Sequence, residues 1–237
     1  MNVNDLRVKL FADGANLESM LNLASLSYIK GFTTNPTLMR KAGISDYESF
    51  ARQVVEKITD RPISFEVFSD EFDEMERQAH RINSWAPNVY VKIPITNTRR
   101  ESACDLIRKL SNDGLKLNIT AIMTPEQVKE VADAVRGGAS SFISVFAGRI
   151  ADTGCDPVPV MVECLKILAD CPQAELLWAS PRELLNIIQA DQIGCHIITA
   201  TPDILGKLKG LGKDLADFSL DTVKMFYEDA RAAGYSL

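Results

Sequence analysis

Short apolar runs rich in β-branched residues alternate along this chain with longer stretches whose apolar residues recur every three or four positions. Eight of the short runs read as strands, at 8–12, 28–33, 63–68, 89–94, 115–120, 141–146, 175–179 and 195–200. Between them the helical period is clear. Ala103, Leu106, Ile107 and Leu110 fall on one stripe, as do Val128, Val131, Ala132 and Val135, and Met161, Cys164, Leu165 and Leu168. Local chemistry marks helix starts. Thr124-Pro-Glu-Gln127 and Ser180-Pro-Arg-Glu183 each predict a capping box with proline at the first helical position. Ser45-Asp-Tyr-Glu48 and Thr98-Arg-Arg-Glu101 predict capping boxes without it.

Strands that alternate with helices imply a parallel sheet, because parallel neighbours need crossover connections. An open, doubly wound sheet would want a glycine-rich first turn, which this sequence lacks. The expectation is therefore α/β: a single (β/α)8 barrel over residues 1–237. An additional C-terminal amphipathic helix is expected, with Leu220, Val223 and Tyr227 on one side, covering the barrel or meeting a partner subunit.

Composition narrows the function classes. A chain of 237 residues with 46% hydrophobic residues is long enough to bury its own core. The net charge of −6 disfavours nucleic acid and anionic membrane as partners, so a phosphorylated substrate would need a local positive site. The five cysteines include no closely spaced pair, and there are only two histidines. Free thiols in a reducing, cytoplasmic setting and no metal site are expected. His80 falls on a helical stretch and His196 at the start of the eighth strand; both read as non-catalytic.

Barrel sites lie at the C-terminal ends of strands, and polar residues collect there. Asp13, Asn35, Glu66, Lys92, Asn118, Thr120 and Ser144 fall at or near the ends of the first six strands, with Phe146 closing the sixth and Arg149 just beyond it. Ser180 and Arg182 follow the seventh. Asn118 and Thr120 differ by two and share a face, as do Tyr90 and Lys92, and Ser64 and Glu66. An apolar strand that carries Lys or Glu is costly unless the charge is paired or neutralised. Lys92 is the most informative residue: a desolvated lysine loses its proton more readily, and the free amine attacks carbonyls. Glu66 and Asp13 could supply acid–base partners. Arg149, Ser180 and Arg182 suit a phosphate, with Ser180 as a helix cap and Arg182 in the first helical turn, where a bound dianion would relieve the unfavourable dipole.

At these residues the chain resembles the transaldolase family, in its compact, fructose-6-phosphate aldolase-like subgroup. The segments are Gly31-Phe-Thr-Thr-Asn-Pro-Thr37, Val91-Lys-Ile-Pro94, Leu117-Asn-Ile-Thr120, Ile143-Ser-Val-Phe-Ala-Gly-Arg-Ile150 and Ala179-Ser-Pro-Arg182. The resemblance implies a class I aldol mechanism with no cofactor and no metal. In it Lys92 would form an imine with C2 of a ketose phosphate, and Asp13 would take the C4 hydroxyl proton. Glu66 with Thr120 would hold the proton-shuttling water. Asn35, Asn118 and Ser144 would hold the dihydroxyacetone fragment, and Arg149, Ser180 and Arg182 the phosphate. The aldolase branch is similar but resembles Gln in place of Glu66 and Tyr in place of Phe146, so both positions here follow the transferase pattern. Pro181 departs from the family's usual larger residue. Transfer of a dihydroxyacetone unit in carbohydrate metabolism, through the pentose phosphate pathway, is the leading expectation, and a homo-oligomer is expected. Release of free dihydroxyacetone, or a barrel that binds sugar phosphates without turning them over, are the alternatives.

Overall fold

The computed structural model describes residues 2–237. Eight parallel strands close into a barrel in chain order: β1 (Lys9–Asp13), β2 (Ile29–Thr33), β3 (Ile63–Glu66), β4 (Val89–Pro94), β5 (Leu117–Ile122), β6 (Ser141–Val145), β7 (Ala174–Trp178) and β8 (Ile197–Ala200). Every predicted strand is present, each shifted or trimmed by at most a few residues. The helices are α1 (Leu17–Ala24), α2 (Pro36–Lys41), α3 (Tyr47–Lys57), α4 (Phe72–Asn83), α5 (Cys104–Asn112), α6 (Pro125–Val135), α7 (Ala147–Ala151), α8 (Pro157–Leu168), α9 (Leu185–Gln192), α10 (Pro202–Gly206) and α11 (Leu215–Ala232). The stripes on α5 and α6 are fully buried against the sheet. On α8 Met161, Cys164 and Leu168 are buried and Leu165 is partly so.

Inside the barrel the side chains form layers, as closure requires. Phe11, Phe142, Leu177 and Ile197 pack together as an apolar floor, with Phe142 edge-on to Phe11 at 5.5 Å and stacked on Tyr90 at 4.0 Å. Gly31 on β2 faces the Phe11 ring. A Cβ there would fall 2.5 Å from it, so the aromatic floor requires glycine at this place. Beneath the floor Lys9 pairs with Glu175 at 2.6 Å. Polar residues sit above it, and they form the site.

Three of the four capping boxes do not form as expected. Thr124 and Gln127 cap α6 reciprocally. At α3 the cap is Asp46, one residue beyond Ser45, because its carboxylate reaches Ser49 N at 2.9 Å. Thr98 starts no helix: its N–H and hydroxyl both donate to Asp70 at 2.7 Å, and Asn97 organises a turn through the N–H groups of Arg99 and Glu101. Ser180 is no cap either. Its φ of 59° is left-handed, whereas an N-cap is extended, and α9 begins only at Leu185. The C-terminal helix α11 is present and buries none of its residues, with Leu220, Val223 and Tyr227 all more than half exposed.

Candidate active site

Residues of the same layer are brought side by side by the parallel register. Asp13 pairs in register with Thr33, Glu66 with Lys92, and Lys92 with Asn118. With Ser144 and Thr199 they ring the barrel above the aromatic floor. The ring bounds an inner cavity of about 150 Å³ lined by Asp13, Thr33, Lys92, Asn118, Ser144 and Thr199. This opens into a vestibule of about 480 Å³ where Glu66, Thr120, Phe146, Arg149, Ser180 and Arg182 meet. Asn35 lines both.

Lys92 is 6% exposed and directed into the cavity, so its ammonium has few oxygen partners. Its Nζ lies 3.1 Å from Glu66 Oε2 and 3.2 Å from the carbonyl of Thr34. The charged group in contact with the amine is thus a carboxylate. Asp13 takes a 2.7 Å hydrogen bond from the Thr33 hydroxyl. Thr33 spends its only hydroxyl proton there, so in its 2.6 Å contact with Thr199 the donor is Thr199. Burial pushes the Asp13 carboxyl above its usual range. The charge of Lys92 and the Thr33 hydrogen bond oppose that rise, and the Glu66 charge adds to it. A carboxyl so placed holds its proton more readily than a solvated one.

The amides are held rather than free. Asn118 Nδ2 donates to Ser64 Oγ at 2.9 Å, and Ser144 Oγ donates to Asn118 Oδ1 at 2.6 Å. Asn35 caps α2, its Oδ1 accepting from Leu38 N at 3.0 Å. Thr120 differs: its hydroxyl is buried and bonds to no protein group, which leaves it available to a ligand. The residue after it, Ala121, sits at φ 62° beside a register break in β5, a turn that exposes the strand end to the vestibule.

The phosphate-facing side is built otherwise than predicted. Arg149 lies on the five-residue α7, exposed, its guanidinium 5.5 Å from the Phe146 ring centre. Phe146 thus has a wall position and also packs on the aromatic floor. Arg182 is not in a helix. It sits in the loop before α9, its N–H accepted by Asn186 Oδ1 at 2.7 Å. The predicted frustration with a helix dipole is absent, because Asp152 meets the charge through Arg182 Nε at 3.0 Å and through a second contact at Nη2. Gly148 permits the approach of this loop: a Cβ there would lie 1.5 Å from the Ser180 carbonyl.

Thr199, Tyr47 and Asp152 join the site without having been singled out. Thr199 shares the inward period of its strand and could have been read. Tyr47, the first residue of α3, and Asp152, in the turn that ends α7, lie off the strands and could not. The histidines stand apart: His80 is exposed on α4, and His196 Nδ1 accepts from Leu176 N at 2.9 Å. Among the described residues no group of three or more His, Cys, Asp or Glu side chains could hold a metal ion.

Comparison with known proteins agrees with the geometry. A model of the family "Transaldolase/Fructose-6-phosphate aldolase" matches residues 10–237. The chain is 33% identical over 219 residues to a "Probable transaldolase" of Dehalococcoides mccartyi, covering 89% of this chain and 98% of that one. It is 32% identical over 223 residues to a "Probable transaldolase" of Methanococcus maripaludis, covering 91% and 99%. A crystal structure of a candidate fructose-1,6-biphosphate aldolase from Coccidioides immitis shares the fold, with TM-score 0.58 at 11% identity over 90% of this chain and 82% of that one. The polar ring, the lysine on β4 and a match that spans nearly the whole chain lead to one assignment: the protein belongs to the transaldolase/fructose-6-phosphate aldolase family.

Proposed function

We propose that this protein is a transaldolase, transferring a dihydroxyacetone unit between sugar phosphates through an imine on Lys92. The observation that carries the reading is the buried Lys92 amine, facing the cavity with Glu66 at 3.1 Å and Asp13 on the same ring. Glu66 takes a proton from the ammonium, and the freed amine adds to C2 of the ketose phosphate. The carbinolamine then loses its oxygen as water, protonated through Glu66 and a water held with the Thr120 hydroxyl. Asp13 removes the C4 hydroxyl proton as the C3–C4 bond breaks; the aldose phosphate leaves, and the electron pair is held as an enamine on Lys92. The acceptor aldehyde is attacked by that enamine in the reverse sequence. Asn35, Asn118 and Ser144 orient the three-carbon fragment, and Arg149, Ser180 and Arg182 bind the phosphate.

Borohydride reduction in the presence of fructose 6-phosphate tests this reading, with a three-carbon adduct on Lys92 as the expected product. An unlabelled Lys92 in active protein ends it. Transfer rather than release is favoured by Glu66 and Phe146, so turnover should depend on added erythrose 4-phosphate. Brisk cleavage without an acceptor would favour the aldolase reading instead, and binding without turnover would favour an inactive barrel.

Three coarser features belong with this reading. The five cysteines are all free, and no helix among the described residues is long and apolar enough to cross a membrane; we place the protein in the cytoplasm, acting in the carbohydrate metabolism of the pentose phosphate pathway. The whole of residues 1–237 acts as one catalytic domain. The exposed apolar face of α11 is assigned to a second copy of this chain, because the barrel carries an apolar groove of about 390 Å³ lined by Leu23, Leu26, Tyr28, Pro202, Leu205 and Leu208. Helix into groove joins two different surfaces, which a ring or a reciprocal exchange between two copies satisfies. Light scattering of the full chain should give a multimer, and Val223→Asp should dissociate it; a monomeric parent chain would refute the assignment.

A further inference from the structure

The end of β3 breaks the hydrogen-bond pattern of its own sheet. In a parallel ladder, an N–H that donates to one strand is followed by a return bond from the residue two positions on. Here Thr34 N donates to Ser64 O at 3.1 Å, so the return bond should run from Glu66 N to Thr34 O. It does not form. Glu66 N donates instead to the hydroxyl of Tyr47 at 2.8 Å, and that hydroxyl donates to Glu66 O at 2.8 Å. One side-chain oxygen thus serves both backbone groups of Glu66, in place of the strand that has ended. The Thr34 carbonyl, left without its ladder partner, accepts from Lys92 Nζ at 3.2 Å.

Tyr47 is itself fixed. It opens α3 behind the Asp46 cap, and its ring packs against Phe68 at 5.5 Å and Trp85 at 6.1 Å, with Trp85 edge-on to Phe65. Burial raises its phenol far above the ordinary value, so the hydroxyl keeps its proton and goes on donating through the working pH range. The tyrosine lines neither the inner cavity nor the vestibule, and its hydroxyl bonds to the main chain of Glu66.

We propose that Tyr47 is a positioning residue for the Schiff-base lysine: by taking both backbone groups of Glu66 it sets the Glu66 carboxylate and frees the Thr34 carbonyl, so that both oxygens rest on Lys92 Nζ. The proposal depends on the lysine–imine reading and adds to it a residue outside the cavity. The charged side chains that share the cavity and vestibule with that nitrogen are Glu66 from β3, Asp13 from β1, Arg149 from α7, Arg182 from the loop before α9 and Lys41 from α2; Thr33, Asn118 and Ser144 on the ring are neutral.

Tyr47→Phe tests it, since it removes one oxygen and keeps the ring. With the hydroxyl gone, Glu66 N is free to return to Thr34 O, and the ammonium loses an oxygen it now holds. The acid limb of the pH profile for borohydride trapping with fructose 6-phosphate should then move to lower pH. kcat should fall by about tenfold, with KM for the ketose phosphate nearly unchanged because Tyr47 does not touch substrate. Trp85→Phe is the control: it loosens the same aromatic packing and retains the hydroxyl, so it should lower Tm and leave the pH limb in place. A Tyr47→Phe protein that traps with the parent's pH profile refutes the positioning role, as does an equal shift of the limb in Trp85→Phe. If Tyr47→Phe does not fold, amide exchange replaces it: the parent should show Glu66 N–H protected, with Trp85→Phe lowering that protection no more than it lowers protection globally, whereas an unprotected Glu66 amide refutes the clamp. Failure of the parent protein to be trapped at all would overturn the imine reading and this proposal with it, whereas a trapped parent whose pH profile Tyr47→Phe shares overturns this proposal alone.

Discussion

The two ends of the cavity are built from different materials. The amine end is made of strand residues: Asp13, Glu66, Lys92, Asn118 and Ser144 project from five of the eight strands, and each but the carboxylates' free oxygens is tied to a protein partner. The phosphate end is made of a five-residue helix and a loop with a left-handed serine, and its arginines are exposed. A barrel strand fixes the direction of its side chains to within the pleat, which suits covalent chemistry. A loop tolerates adjustment, which suits the capture of a phosphate whose distance from the reacting carbon varies with substrate. The difference teaches which substitutions should affect chemistry and which binding.

The largest effect is expected at the amine end. Lys92→Met should lower kcat by at least about 10³-fold and abolish trapping, because no other amine lines the inner cavity. Steady-state transfer assays check this, and residual activity near the parent's would erase the distinction between the two ends. Next come the arginines. A charged hydrogen bond is worth about 1.5–3 kcal/mol, so Arg149→Ala should raise KM for sugar phosphates by about 10- to 100-fold with little change in kcat. Arg182→Ala should cost less, since Asp152 already competes for that guanidinium. Equal losses in kcat at both arginines would show that the phosphate end takes part in chemistry.

Asp13→Asn sharpens the comparison through stability. Burial raises the Asp13 carboxyl in the folded state, so the native protein holds that proton to higher pH than the unfolded chain does. Parent stability therefore declines as pH rises from the ordinary aspartate range through the folded-state value. The variant escapes this loss. Its Tm relative to the parent should be higher near pH 8 than near pH 4, although its activity is lost; calorimetry at the two pH values decides. The smallest effect is expected where the backbone is strained. Ala121→Gly relieves a left-handed alanine and should gain at most about 1 kcal/mol in denaturant unfolding, while loosening the vestibule wall.

Legibility followed the same division. The ring above the aromatic floor could be read because a strand has period two: once Lys92 is known to face inward, Tyr90 must also, and Asn118 and Thr120 go together. The phosphate end could not. Ser180-Pro-Arg-Glu183 has every local mark of a helix start, yet close packing of the Ser180 carbonyl on Gly148 holds the serine left-handed and delays the helix to Leu185. Thr98 was diverted by Asp70, a residue twenty-eight positions away. Capping chemistry is a local preference of about 1 kcal/mol, and one strong tertiary contact outweighs it.

What the amino-acid order alone determined was the succession of eight strands and their helices, the inward face of each strand and the chemical character of the lysine, carboxylate and amide groups on it. Those follow from periodicities of two and 3.6 and from the cost of placing polar atoms in apolar strands. Only the tertiary structure decided which groups touch: Glu66 on Lys92, Asp152 on Arg182, Tyr47 on the backbone of Glu66. The partners in these contacts come from different elements, and their distances are set by barrel closure and helix packing, which no local pattern encodes.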